Sequence, residues 1–337
     1  MQPFWCSVCG QLLFFENSVC LQCGSELGFD PARRTLVTLT GTEIEYQRCR
    51  NQHAARCNWL VPPGTGEELC LSCGLTTIRP NDADDASHSA FADAESAKRR
   101  LLHQLLTLGL PVISHAQDPE HGLAFELLSA REGDVITGHE AGVITLDLSE
   151  SDDAHREFVR QQLGEAYRTV LGHFRHEIGH YYWPSIVVQA GQLDEFRSLF
   201  GDETQSYETA RQRHYDTPAG FDPAGDYVSQ YATMHPWEDW AETFAHYLHI
   251  RDGLDTAAGY GLAIDGDAAA AAQAAFAADA NTQVAPIVTD WLRLTIALNA
   301  MSRSIGQGEL YPFVLSPGVV RKLDFVHRAV TAATRSG

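Results

Sequence analysis

Hydrophobic positions recur at two spacings along this chain. From His235 to Asp252, Trp237, Trp240, Ala241, Phe244, Tyr247 and Leu248 return at three- and four-residue steps, the stripe of a half-buried helix, with Pro236 suited to its first turn. Ala92 to Leu108 has the same period and ends at Gly109 and Pro111. Leu123–Leu128 and Gly142–Leu148 read instead as strands, separated by a TGHEAG turn. A further helix is expected from near Asp152 to Pro184, helical spacing over Phe200–Tyr215, and two closing helices over Ala285–Ala300 and Val319–Ala333. The polar run Asn81–Ser89 reads as a linker, and alanine-rich Asp265–Asn281 as low-complexity helix.

The segment ending at Trp183 carries the first chemistry, His176-Glu177-x-x-His180. Two histidines four residues apart share one helix face about 6 Å apart along the axis, which suits two imidazoles gripping one zinc ion. The glutamate between them can then act on a water at an open coordination position. The bland alternative is a helix whose histidines are simply solvated. In the Trp237 helix, Glu238 and Glu242 lie one turn apart on an apolar stripe. A carboxylate there is costly unless it is paired or bound to metal. Asp239, His246 and His249 are nearby substitutes, with ordinary packing as the competing account.

All eight cysteines lie before residue 74: Cys6-x-x-Cys9, Cys20-x-x-Cys23, Cys49, Cys57 and Cys70-x-x-Cys73. Three C-x-x-C-G knuckles describe zinc sites. The first four make one ribbon; Cys49, Cys57, Cys70 and Cys73 make a second, with ligation through His53 as an alternative that strands a cysteine. A disulfide framework is the rival expected of a secreted chain. However, Met1 to Phe4 leads straight into the first knuckle without a charged n-region and apolar h-region, so reduced cysteines and a cytoplasmic location are expected. No apolar run is long enough to span a membrane.

A length of 337 residues leaves room for a small ribbon module and one catalytic domain. We expect the double ribbon over 1–80, a linker over 81–90 and the catalytic domain over 91–337. The formal net charge is −20, and the first 80 residues hold 6 basic and 7 acidic residues, so the acidity belongs to the remainder. A nucleic-acid reader needs clustered lysine and arginine. Nucleic acid is therefore not an expected partner, whereas a protein partner for the ribbons is.

Glu238 and Glu242 after H-E-x-x-H resemble the gluzincin peptidases, whose third zinc ligand is a glutamate on a later helix, followed four residues on by a supporting acid. More narrowly, Cys57–Pro62 (CNWLVP), Ile136–Glu150 (ITGHEAGVITLDLSE), Gly172–Trp183 (GHFRHEIGHYYW), Phe200–Glu203 (FGDE) and the Trp237 helix resemble a family of bacterial zinc-binding metallopeptidases with an N-terminal zinc ribbon. That family is named for its motif rather than for a known substrate. The resemblance implies an α+β chain, a double zinc ribbon followed by a mainly helical gluzincin-like domain with a small mixed sheet. It makes His176, His180 and Glu238 the zinc ligands, Glu177 the general base and Glu242 the acceptor for a ligand histidine N–H. The family pattern often ends in aspartate, so the order of Glu238 and Glu242 stays open.

The expected cofactors are one catalytic and two structural zinc ions, and the expected substrate is a peptide or protein. Strand Val143–Leu148 is the candidate edge for pairing with an extended peptide, an interior strand being the alternative; His139 belongs to the turn before it. Oxyanion donors are sought among Tyr181, Tyr182, His214, Tyr215 and Tyr231, with His214 and Tyr215 preferred. The competing functional class is a non-catalytic ribbon adaptor with a remnant peptidase domain, against which the intact Glu177 argues.

Overall fold

The computed structural model describes residues 1–39, 45–81, 85–130, 135, 137–163, 167–216, 225–266 and 282–336. Most of the alanine-rich segment and the centre of the expected linker therefore lie outside the described residues. Packing divides the chain into two units, Met1–Phe158 with Thr169–Phe174, and Val159–Arg168 with Arg175–Gly337.

The first unit begins with short antiparallel pairs, as expected for zinc ribbons. β1 (Phe4–Trp5) pairs with β2 (Leu12–Leu13), β3 (Leu27–Asp30) with β4 (Thr35–Thr38), and β5 (Gln47–Arg48) with β6 (Leu60–Val61). Two-residue strands cannot bury enough apolar surface to be stable alone. Phe15, Phe29, Trp59 and His103 supply a shared core, with the Phe15 and Phe29 rings 4.9 Å apart and those of Phe29 and Trp59 5.0 Å apart. His103 comes from helix α2 (Asp85–Leu108), which follows the single turn α1 (Leu71–Gly74) and also buries Phe91, Leu101, Leu102 and Leu105. This helix starts at Asp85, inside the stretch read as linker.

A four-stranded mixed sheet completes the unit in the order β7 (Thr76–Ile78), β8 (Ala124–Leu128), β10 (Val143–Asp147), β9 (Gly138–Glu140). β8 runs parallel to both β7 and β10, and β9 is antiparallel to β10. Two expectations change here. Val143–Leu148 is not an edge: β10 pairs with β8 over Val143–Asp147 and with β9 over Val143–Thr145. His139 lies in strand β9 rather than in a turn, and its Nε2 accepts the Gly142 N–H at 3.2 Å. The turn itself is Ala141–Gly142, both at positive φ, as a two-residue hairpin loop of matching twist requires.

The long helix expected from Asp152 to Pro184 is two helices, α3 (Asp153–Leu163) and α4 (Val170–Trp183). Pro184 does not end the second outright: a wider helical turn, Pro184–Gln189, continues it, the proline occupying a first-turn position where no N–H is needed. The second unit then adds α5 (Leu193–Phe200), α6 (Tyr207–Asp216), α7 (Pro236–Gly259), α8 (Ala285–Ser304) and α9 (Pro317–Ser336). Phe196, Phe200, Trp240, Phe244 and Phe325, all buried, form its aromatic centre. Among the described residues no helix is long and apolar enough to cross a membrane.

Candidate metal centres

The eight cysteines gather as their spacing suggests, into Cys6, Cys9, Cys20, Cys23 and into Cys49, Cys57, Cys70, Cys73. None is in a disulfide. Sulfurs of Cys6 and Cys23 stand 3.7 Å apart, and those of Cys9 and Cys20, and of Cys57 and Cys70, 3.6 Å apart. Sulfurs each about 2.3 Å from one tetrahedral zinc stand roughly 3.8 Å from one another, so both sets fit the ion. In the second set the Cys70 Sγ also accepts the Cys73 N–H at 3.5 Å, the backbone bond of a knuckle turn. His53 is not part of the set; its ring pairs with Gln52.

The third cluster is built by α4 and α7. His235 begins α7 with its Nδ1 accepting the Trp237 N–H at 3.1 Å, and Pro236 fills the first helical position. The helices meet at Gly179, inside the H-E-x-x-H motif. A Cβ added there would lie 3.1 Å from the Ala241 Cα and 3.2 Å from the Phe244 Cβ. Trp240 Nε1 donates to the Gly179 carbonyl at 2.8 Å and clamps the crossing. This close approach brings Glu238 to the histidines.

Donor atoms of His176, His180 and Glu238 all lie within 4.8 Å of one another. Glu238 Oε2 is 2.9 Å from His176 Nε2 and 3.5 Å from His180 Nε2. Ligands about 2.1 Å from one tetrahedral ion stand roughly 3.4 Å apart, and two imidazoles with one carboxylate are a donor set zinc accepts while a position stays open. The residues fit the metal. On its other side, His176 Nδ1 lies 2.7 Å from Glu242 Oε1, whose Oε2 accepts the Ser229 hydroxyl at 2.5 Å.

Burial sets the electrostatics. Glu177, almost fully buried, is pushed up to about 7, first by desolvation and then by the charges of Glu238 and Glu242, with His176 opposing. Burial would also raise Glu238 and Glu242, but hydrogen bonds to His176, joined at Glu238 by His180, hold both below the usual carboxylate range. For His176 burial acts to lower the value, and the two flanking carboxylates outweigh it, so the imidazole is raised well above its ordinary range. Desolvation prevails at His180, which is lowered.

The other named residues divide clearly. Tyr182 is core, packed on Phe244. Tyr181 packs against Tyr182, and Tyr231 lies with its ring 5.8 Å from that of His176. His214 is one step further out, 6.1 Å from Tyr231, and the Tyr215 side chain lies outside the described residues. His246 is not in the cluster: its Nδ1 pairs with the Tyr311 hydroxyl at 2.8 Å and its ring packs on Phe313. His249 packs between Tyr167 and Trp291. Asp239 faces away from the cluster's partners to Lys322, 2.6 Å from its Nζ. Two residues of the site carried no sequence signal, Tyr207, whose hydroxyl donates to Glu238 Oε1 at 2.9 Å, and Ser229. They stand 31 and 13 residues before their acceptors, and no motif spacing links them.

Comparison with known proteins decides the family. Residues 87–329 match the family described as "Putative zinc-binding metallo-peptidase", and residues 3–84 match a zinc-ribbon domain. The chain belongs to this metallopeptidase family. Uncharacterized proteins of Mycobacterium tuberculosis and Mycobacterium bovis are each 50% identical to it over 336 residues, covering 98% of this chain and 95% of theirs. No solved structure matches the fold.

Proposed function

We propose that the chain hydrolyses peptide bonds as a single-zinc metallopeptidase of gluzincin type, with His176, His180 and Glu238 as ligands and Glu177 as general base. The observation that carries this reading is the convergence of two imidazole nitrogens and one carboxylate oxygen within 4.8 Å, beside the buried carboxyl of Glu177. Zinc bound there would polarise a carbonyl oxygen and lower the pKa of its water toward neutrality.

The remaining steps belong to the protein. Glu177, buried next to the first ligand histidine, takes the proton of the attacking water and hands it to the departing amine. Glu242 accepts the Nδ1–H of His176, leaving Nε2 free to face the metal, and Ser229 fixes the carboxylate that does this. Burial of Glu177 and Glu238 keeps competing water from their charges, which strengthens each interaction. The substrate is a peptide or protein, and the two cysteine clusters would hold structural zinc.

The test separates metal binding from proton transfer. Glu177→Gln should keep its fold and three zinc ions per chain while turnover on a fluorogenic peptide library falls about 100- to 10,000-fold. Glu238→Ala should lose one zinc. Undiminished cleavage by Glu177→Gln would overturn the assignment.

A further inference from the structure

The two oxygens of Glu238 have different surroundings. Oε2 faces both histidines, at 2.9 and 3.5 Å, while Oε1 accepts the Tyr207 hydroxyl at 2.9 Å. Tyr207 opens α6, and its ring lies against that of His235, the residue that caps α7. The tyrosine is 42% exposed and Glu238 only 3%, so the phenol reaches from the surface to a buried carboxylate. Beside it, the Tyr231 ring lies 5.8 Å from that of His176. The turn carrying Tyr231 is tied through the Ala232 N–H to Ser229 Oγ at 3.1 Å, and Ser229 holds Glu242. Glu238 and Glu242 thus each direct one oxygen to histidine and give the other to a hydroxyl.

We propose that Tyr207 is a positioning residue that commits Glu238 to the metal through Oε2 alone. This rests on the zinc reading above. A carboxylate can bind zinc through one oxygen or through both, and the second mode consumes a coordination position that a catalytic site needs for water. An oxygen already accepting a hydrogen bond is a weaker second ligand, because the lone pair facing the donor is engaged. Partners of this kind orient metal ligands, and their loss typically costs 10- to 100-fold in metal affinity.

The decisive variant is Tyr207→Phe, which removes one hydroxyl from a ring at the surface and leaves the packing in place. Full-length protein is treated with dipicolinate to strip the third site while the cysteine clusters keep zinc, and cobalt(II) is then added. Four-coordinate cobalt absorbs visible light more strongly than five-coordinate cobalt. Wild type is expected to bind one cobalt with intense visible bands; Tyr207→Phe is expected to bind one cobalt with weaker bands and about tenfold lower affinity. Tyr231→Phe, which leaves the bond to Glu238 intact, should move the spectrum less. If the spectrum of Tyr207→Phe is unchanged, or Tyr231→Phe moves it more, the positioning role is overturned and the zinc reading stands. If wild type takes up no cobalt at the third site, the zinc reading fails and the proposal fails with it.

Discussion

The two cysteine clusters share a donor set and differ in their surroundings. In the first, Cys6 and Cys20 are buried but Cys9 and Cys23 are exposed, and the Cys23 sulfur pairs with the Ser25 hydroxyl at 3.2 Å. In the second all four are buried. Four thiolates around one zinc carry a net double negative charge. Water can screen that charge at the first cluster, whereas the second must be matched by protein. Helix α2 supplies part of the match, two cations against one carboxylate: Lys98 Nζ is 2.6 Å from Glu95 Oε1, Arg99 stands 3.9 Å from the same carboxylate while donating to the Ala55 carbonyl, and Glu95 Oε2 lies 3.9 Å from Cys73 Sγ. Glu95 and Lys98 are fully buried. The first cluster staples a surface hairpin; the second is part of the core that α2 completes.

Removing the buried metal breaks this contrast most strongly. Structural zinc contributes apparent binding energies of about 10–16 kcal/mol, as large as the whole stability of a typical domain. Cys70→Ser with Cys73→Ser should therefore unfold the first unit, seen as loss of near-ultraviolet circular dichroism and proteolysis within Met1–Phe158. Cys9→Ser should lose one zinc and leave α2 and the sheet protected. Equal damage from both would erase the distinction.

The charge match can be broken with the metal in place. Lys98→Met removes the nearer of the two cations beside buried Glu95, leaving Arg99 at 3.9 Å and the Thr76 hydroxyl as its partners next to a thiolate, and should cost about 3–5 kcal/mol in urea unfolding. Adding Glu95→Gln should recover part of it. A Lys98→Met protein as stable as wild type would mean that the pair does not balance the cluster.

The second unit has its own buried charge problem and should respond to pH. Desolvation first, aided by Arg175, depresses His246 to about 4 and His249 to about 3, although Glu242 opposes the shift at His246. Above the ordinary histidine value of about 6.5 neither folded nor unfolded chain protonates them, so their contribution is intact. As pH falls from there toward 4, the unfolded chain takes up protons that the folded chain refuses, and stability drops by up to about 1.4 kcal/mol per pH unit for each. Urea unfolding between pH 7.5 and 4.5 should show this slope, reduced in His246→Phe. An unchanged slope in that variant would contradict the assignment. The smallest effect returns to the cysteines: Cys9 and Cys23 should be alkylated, and their zinc lost to a chelator, before any cysteine of the second cluster reacts.

What could be read from the chain alone was set by distance along it. The cysteine knuckles and H-E-x-x-H place their donors within one turn or one helix face, so His176, Glu177, His180 and the eight cysteines were legible, and the Glu238–Glu242 spacing was legible on α7 once the resemblance supplied its meaning. Sheet order was not, because alternation in Val143–Leu148 says which face is apolar and nothing about what lies on either side; β9 and β8 flank it. Pro184 failed as a stop signal because a proline is tolerated wherever its missing N–H has no bond to make. Tyr207 was missed for the same reason as Ser229: a single hydroxyl meeting a carboxylate from another segment leaves no periodic trace.

The most direct test of the account is zinc content per chain, measured by elemental analysis on wild type and on the double variant His176→Ala, His180→Ala. Three zinc ions falling to two, with both cysteine clusters still loaded, is the predicted result. Two zinc ions in both proteins would confine metal to the cysteines and contradict the peptidase site.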